Sequence, residues 1–280
     1  MTTLTVGLIQ MTSGIVMQDN IDHLTQAVQK LCAQGAELIV TPEMTGVLDQ
    51  KSDRLRLTAC DEETDPCLQS VQLLAQEHRV TIVLGSQPIH ITGDRLVNRS
   101  FVIDQDGKII ARYDKIHLFD VTLPDGTQIS ESKSFKPGKQ AVIVDHRSAN
   151  LNLKIGLSIC YDLRFPLLYR KLAQSGAHII TIPAAFTTQT GSAHWESLIR
   201  ARAIETGSFI LAPAQAGHHQ DGRETWGHSL IVSPWGKILG QGSKDQPELL
   251  LAEIDLQEVH QARARIPAIM LDKSWDMKNF

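Results

Sequence analysis

Apolar and polar positions alternate along the chain with two different periods. Residues 4–9, Leu-Thr-Val-Gly-Leu-Ile, predict a strand. Residues 19–34 place Ile21, Leu24, Val28, Leu31 and Cys32 at helical spacing, with Asp19 or Asn20 as the cap and Gly35 as the stop. Residues 36–41, Ala-Glu-Leu-Ile-Val-Thr, predict the next strand, so the chain opens with a strand, helix, strand unit. A helix over 65–78, carrying Leu68, Val71, Leu74 and Ala75, leads into the apolar run 80–84. The arms 95–103 and 108–113 then flank Asp104-Gln-Asp-Gly107, a hairpin turn signal.

The later chain repeats this logic. A strand over 153–159 ends at Cys160, followed by a helix over 166–174, a strand over 177–182, a helix near 192–206 and a strand near 208–213. Ser229 to Val232 and Lys237 to Leu239 form hairpin arms around Ser233-Pro-Trp-Gly236. A strand over 249–254, a short helix from Asp255 and an extended tail complete the pattern. Residues 121–140, polar and rich in Ser, Lys, Gly and Pro, predict a long loop inside a domain, because no pure Gly, Ser or Pro tract divides the chain. Burying the faces of these elements calls for sheets covered by helices in one layered α/β body over residues 1–280.

Composition narrows the function classes. With 42% hydrophobic and 21% charged residues, the chain is neither largely disordered nor a coiled coil. Lys and Arg number 27 against 31 Asp and Glu, a net charge of −4, which disfavours nucleic acid as a partner. No apolar stretch approaches the roughly 20 residues of a membrane span, and the N-terminal residues have neither a basic start nor a long apolar region. These features predict a cytosolic protein with no membrane partner, whose four cysteines stay reduced. There is no C-x-x-C pair, no early G-x-G-x-x-G, no P-loop and no H-E-x-x-H, and His218-His219 falls in a polar loop, so neither cofactor nor metal is expected.

Three strand ends carry chemistry. Ile39-Val-Thr-Pro-Glu43 ends in a carboxylate, Arg112-Tyr-Asp-Lys-Ile-His117 places an ammonium after a strand, and Ile155-Gly-Leu-Ser-Ile-Cys160 ends in a thiol. Glu43 can take the thiol proton, Cys160 can attack an electrophilic carbon, and Lys115 can stabilise the developing oxyanion. A helix start and cationic groups near Cys160 predict a depressed thiol pKa.

The sequence resembles the carbon-nitrogen hydrolase family, or nitrilase superfamily, across nearly all of its length. The likeness rests on Ile39-Val-Thr-Pro-Glu43-Met, Arg112-Tyr-Asp-Lys115-Ile-His-Leu-Phe-Asp and Glu131 ahead of Phe135-Lys-Pro-Gly138. It continues in Gly156-Leu-Ser-Ile-Cys160-Tyr-Asp-Leu-Arg-Phe-Pro166 and Ala193-His-Trp-Glu-Ser-Leu-Ile-Arg-Ala-Arg-Ala-Ile-Glu205. The resemblance implies a four-layer α-β-β-α sandwich with internal pseudo-two-fold symmetry, assembled through outer helices into a homodimer or larger homo-oligomer. It also implies a Glu43, Lys115 and Cys160 triad, Glu131 as an additional active-site carboxylate, and an oxyanion hole made by Lys115 and the Tyr161 backbone N–H.

Within the family, the long segment before Glu131, the block after Cys160 and Thr190-Gly-Ser-Ala-His-Trp-Glu are similar to the deaminated glutathione amidase branch. That likeness implies a small anionic amide substrate, cleaved to 2-oxoglutarate and cysteinylglycine. Arg164 is then the first candidate for an electrostatic role, either directly or by organising the catalytic loop, and Phe186, Thr187 and Thr190 are candidates for the pocket entrance. Trp195, Leu198 and Ile199 read as a core or interface stripe, and Glu196 with Arg200 as an exposed ion pair. Leu167 stands where many close relatives carry glutamate, a change expected at the helix start or pocket boundary. The same chemistry would serve an omega-amidase acting on 2-oxoglutaramate, and the scaffold could also persist as a noncatalytic binding or assembly protein.

Overall fold

The computed structural model describes residues 2–91, 95–123, 125–148 and 151–278. Its strands are β1 (Thr3–Gln10), β2 (Leu38–Val40), β3 (Thr81–His90), β4 (Leu96–Ile103), β5 (Ile109–Asp114), β6 (Asp120–Thr122), β7 (Gln128–Ser130) and β8 (Ile143–Ser148). They continue as β9 (Leu151–Leu157), β10 (Ile179–Thr181), β11 (Phe209–Ala212), β12 (Ala216–His218), β13 (Glu224–Trp226), β14 (Leu230–Val232), β15 (Ile238–Gln241) and β16 (Glu248–Asp255). The helices are α1 (Met17–Ala33), α2 (Ser52–Thr58), α3 (Pro66–His78), α4 (Pro166–Gln174), α5 (Thr188–Thr206) and α6 (Gln257–Arg265).

Two six-stranded mixed sheets form the middle of a four-layer α-β-β-α sandwich. One has the order β16-β1-β2-β3-β4-β5 and the other β15-β14-β11-β10-β9-β8. Each has parallel strands at its centre, β1-β2-β3 and β9-β10-β11, with antiparallel neighbours outside them, which is the pseudo-two-fold repeat. Strand periodicity assigns the faces. On β2, Leu38 and Val40 join a core with Ile155, Leu157 and Ile179 of the other sheet, whereas Ile39 joins Leu24, Val28, Leu31 and Val71 of α1 and α3. The neighbouring β3 follows suit, with Val83 in the first cluster and Ile82 and Leu84 in the second. Each such aliphatic side chain contributes on the order of 1.5–3 kcal/mol through burial.

Most of the expected elements form, and the departures have local causes. Strand β3 runs past residue 84 to His90 through a register shift between Leu84 and Gln87. Pro88 falls beyond Thr81 to Val83, the part of β3 that pairs with β2; there β4 lies on one side and Cys60 bridges Ile89 on the other. Helix α5 starts at Thr188, not near 192, because the Thr187 side chain caps it by accepting from Thr190 N–H. The 121–140 loop contains the hairpin β6-β7. Strand β8, helix α2 and the hairpin β12-β13 are too short or too polar to stand out in the sequence. His219, placed in a polar loop by its neighbours, is buried, with Nδ1 2.9 Å from Ser13 O and Nε2 2.7 Å from Thr225 Oγ1. Trp195 and Ile199 are core residues, and Glu196 and Arg200 form the expected exposed pair at 3.6 Å. Among the described residues, no helix is long and apolar enough to cross a membrane.

Candidate active site

The site forms where corresponding strand ends of the two sheets meet. After β2, Thr41-Pro-Glu43 folds over Gly85, whose N–H donates to Thr41 Oγ1 at 2.9 Å. A Cβ at Gly85 would lie 2.0 Å from Thr41 O and 2.7 Å from Pro183 Cβ, so glycine permits the close approach of the two strand ends. Glu43 is thereby buried, at 4% exposure. Its Oε1 accepts from Lys115 Nζ and Asn98 Nδ2, both at 2.9 Å, and its Oε2 accepts from Ala185 N–H at 2.9 Å.

Lys115 leaves the end of β5 with its N–H bonded to Asn98 O at 2.9 Å. Its buried ammonium also donates to Glu131, at 3.1 Å to Oε1 and 2.9 Å to Oε2. Glu131 is fixed in turn by Phe119 N–H at 2.6 Å and by Asn98 Nδ2 at 3.3 Å. Two carboxylates thus clamp one ammonium, and Asn98 bridges the carboxylates.

Cys160 follows β9 and opens a 3₁₀ turn, Cys160–Arg164, at a φ of 48°, left-handed backbone that a non-glycine residue rarely adopts. The conformation is held by Cys160 N–H to Pro183 O at 2.9 Å and by Ile159 N–H to Asp162 Oδ2 at 2.9 Å. Within this turn the Asp162 N–H donates to Ile159 O at 3.0 Å, so the first internal hydrogen bond lies one residue beyond Tyr161.

Burial pushes the Cys160 thiol well above the ordinary cysteine range, the Glu43 charge adds to the rise, and the nearby Lys115 ammonium only partly offsets them. The depressed thiol pKa expected from a helix start and cations is therefore corrected, since desolvation and an adjacent carboxylate outweigh both. For Glu43, burial favours the neutral acid, but Lys115 and hydrogen bonds from Cys160, Lys115 and Asn98 hold it below the usual glutamate range. Lys115 is likewise raised well above the usual lysine range, Glu131 and Glu43 overcoming the cost of burial. These directions favour a neutral Cys160 thiol beside an ionised Glu43, with Lys115 charged.

A cavity of about 440 Å³ opens over these groups. Glu43, Lys115, Glu131, Cys160, Tyr161, Phe186, Thr187 and Thr190 all line it. Arg164 does not. Its guanidinium lies 5.5 Å over the Phe186 ring, with both Nη atoms 3.3 Å from His194 Nδ1, so it packs against a residue of the cavity wall, which corrects the direct role and not that of organising the loop. Leu167 is 66% exposed on α4 and also lies off the cavity, so its difference from glutamate leaves the pocket boundary untouched. Lys133 and Arg223 line the cavity, and sequence reasoning missed both. Arg223 follows the Asp221-Gly222 turn, a hairpin signal inside a segment read only as polar loop. Asn98 was missed as well, because a lone amide in the apolar arm 95–103 reads as a satisfied core residue. Among the described residues, no group of His, Cys, Asp or Glu is arranged to hold a metal ion.

Two face-to-face sheets, outer helices and a thiol, carboxylate and ammonium gathered at their shared edge define an α-β-β-α hydrolase. The chain belongs to the carbon-nitrogen hydrolase family, which it matches over residues 5–264, and is an enzyme that acts on amides. It is 39% identical over 264 residues to a deaminated glutathione amidase of Synechocystis sp., covering 93% of this chain and 95% of that one. Saccharomyces cerevisiae Nit3, a nitrilase superfamily member, superimposes with a TM-score of 0.84 at 27% identity over 95% of each chain. The Caenorhabditis elegans NitFhit protein gives 0.88 at 31% identity over 97% of this chain, which spans 65% of that protein.

Proposed function

We propose that this enzyme hydrolyses deaminated glutathione to 2-oxoglutarate and cysteinylglycine through a thioester on Cys160. The observation that carries this reading is the gathering of Glu43, Lys115 and Cys160 on one cavity, with Glu43 Oε1 accepting from Lys115 Nζ at 2.9 Å. Glu43 takes the thiol proton as sulfur attacks the amide carbon. Lys115 Nζ and the Tyr161 N–H receive the oxyanion of the tetrahedral intermediate. Collapse breaks the C–N bond, and protonated Glu43 returns its proton to the leaving amine. Glu43 then deprotonates a water that attacks the thioester, releasing 2-oxoglutarate and restoring the thiol. Glu131 and Asn98 keep Lys115 and Glu43 in register throughout.

The substrate assignment is supported by relatives described as deaminated glutathione amidases, from Synechocystis sp. at 39% identity to Mus musculus at 37%. A cavity of about 440 Å³ also suits a linear tripeptide-sized molecule, within the roughly 300–1,000 Å³ usual for small-molecule sites. Competition between deaminated glutathione and 2-oxoglutaramate tests it. A higher kcat/KM for the former supports the assignment, and preference for the latter, with ammonia release, replaces it with an omega-amidase.

Residues 1–280 act as one catalytic domain in this reading, in the cytosol, where a thiol nucleophile stays reduced. A homo-oligomer is supported by exposed Leu167 on α4, Ile204 on α5, Trp235 and Met270, apolar side chains on mutually packed outer elements.

A further inference from the structure

Lys115, Lys133 and Arg223 are the cations that line the cavity among the described residues, and they are held very differently. Lys115 is engaged by Glu43 and Glu131. Lys133 is an exposed side chain at the end of the turn that starts at Glu131. Arg223 is built in. Its Nε donates to Asp221 Oδ2 at 2.8 Å and its own N–H to Asp221 Oδ1 at 3.0 Å, while Asp221 Oδ2 also accepts from Gln50 N–H at 2.8 Å. The Asp221 side chain is 1% exposed, against 28% for Arg223. The supporting β12-β13 tip is itself tied down, His219 N–H donating to Arg223 O at 2.9 Å while the buried His219 ring reaches Ser13 and Thr225. Only the Nε edge of the guanidinium is used. Both Nη groups lack a hydrogen-bond partner among the described residues, at a wall of the cavity.

A guanidinium at a cavity wall, with one edge anchored to a buried carboxylate and no hydrogen bond on the other, has lost rotamer freedom before a ligand arrives, and its remaining donors match a carboxylate in two-point geometry. We propose that the Nη edge of Arg223 binds a substrate carboxylate remote from the scissile amide, making Arg223 the anion-recognition residue that selects acidic linear amides. This deepens the substrate reading above and rests on it. The anion belongs either to the 2-oxo acid portion, which becomes the acyl group, or to the C-terminus of the leaving peptide. Both present the same chemistry to the fork.

Steady-state kinetics of Arg223→Ala and Arg223→Lys on deaminated glutathione and on 2-oxoglutaramate separate these possibilities. Loss of a charge-assisted two-point contact raises KM roughly 10- to 100-fold, with a smaller effect on kcat. Lysine, which keeps the charge and can still pair with Asp221, restores part of the loss. A rise on both substrates identifies the acyl-end carboxylate, and a rise confined to deaminated glutathione identifies the leaving-peptide end. Unchanged KM values in folded Arg223→Ala overturn the proposal and leave the amidase reading intact. Should the unmodified enzyme turn over neither substrate, the substrate reading fails and alkylation of Cys160 by iodoacetamide judges Arg223 alone. Protection by 2-oxoglutarate or cysteinylglycine that disappears in Arg223→Ala supports the anion site, and protection that is absent or equal in both proteins refutes it.

Discussion

Tyr113 Oη donates to Asp162 Oδ2 at 2.6 Å, joining the end of β5 to the turn that carries Cys160. The same oxygen accepts from Ile159 N–H, and Asp162 Oδ1 accepts from His117 N–H at 3.0 Å and lies 2.7 Å from His117 Nδ1. His117 in turn stacks on Phe165 with ring centroids 3.5 Å apart. One buried carboxylate therefore sets the distance between the Lys115 segment and the Cys160 turn, although it touches no reacting atom.

Asp162→Asn is expected to cost roughly 2–4 kcal/mol, because an amide replaces a charged acceptor shared by several donors in a buried setting. Tyr113→Phe removes one donor and costs about 1–2 kcal/mol. Urea unfolding measures both. At matched folded fraction, Asp162→Asn also lowers kcat/KM, whereas equal activity would show that the turn holds its shape without the carboxylate.

Glu43→Gln separates thiol reactivity from turnover. Glu43 is one of the groups that push the Cys160 thiol upward, while Lys115 pulls it down. Removing the carboxylate charge lowers the thiol pKa, so alkylation by iodoacetamide begins at lower pH than in the unmodified enzyme. Hydrolysis nevertheless falls by about 10²–10⁴-fold, the usual contribution of a general base. Parallel loss of alkylation and hydrolysis would contradict these roles.

The pH dependence has a definite sign on each side. In the proposed mechanism Glu43 acts in its ionised form, and its pKa is held below the usual glutamate range, so the acid limb of kcat/KM is expected below that range. In the same mechanism Lys115 acts as a charged ammonium, and its pKa is held well above the usual lysine range against burial, with Glu131 the strongest raising influence. Glu131→Gln removes that support, lowers the Lys115 pKa and moves the alkaline limb to lower pH. A pH–rate profile with the alkaline limb unmoved would remove Glu131 from this role.

Much of this was legible in the chain because strand periodicity and strand ends are local properties. The apolar run Leu38-Ile39-Val40 marks a strand whose two faces enter different cores, and Glu43, Lys115 and Cys160 each lie one or two residues past a strand predicted from the sequence. What stayed hidden depends on approach in three dimensions. The raised thiol pKa arises from burial and from Glu43, whereas the local sequence around Cys160 advertises only a turn and cations. Arg164 is four residues from the nucleophile yet faces His194 and Phe186, while Arg223, far along the chain, reaches the cavity because β12-β13 folds back across it. Asn98 enters the site because β4 lies between the strands bearing Gly85 and Lys115, an order that no local pattern encodes.

The most direct test of the central claim follows cysteinylglycine release from deaminated glutathione by the purified enzyme and by Cys160→Ala of matched fold. Release by the unmodified enzyme that vanishes in the variant is the expected result. Release that persists in Cys160→Ala contradicts the thioester mechanism, and no release from well-folded unmodified enzyme contradicts the substrate.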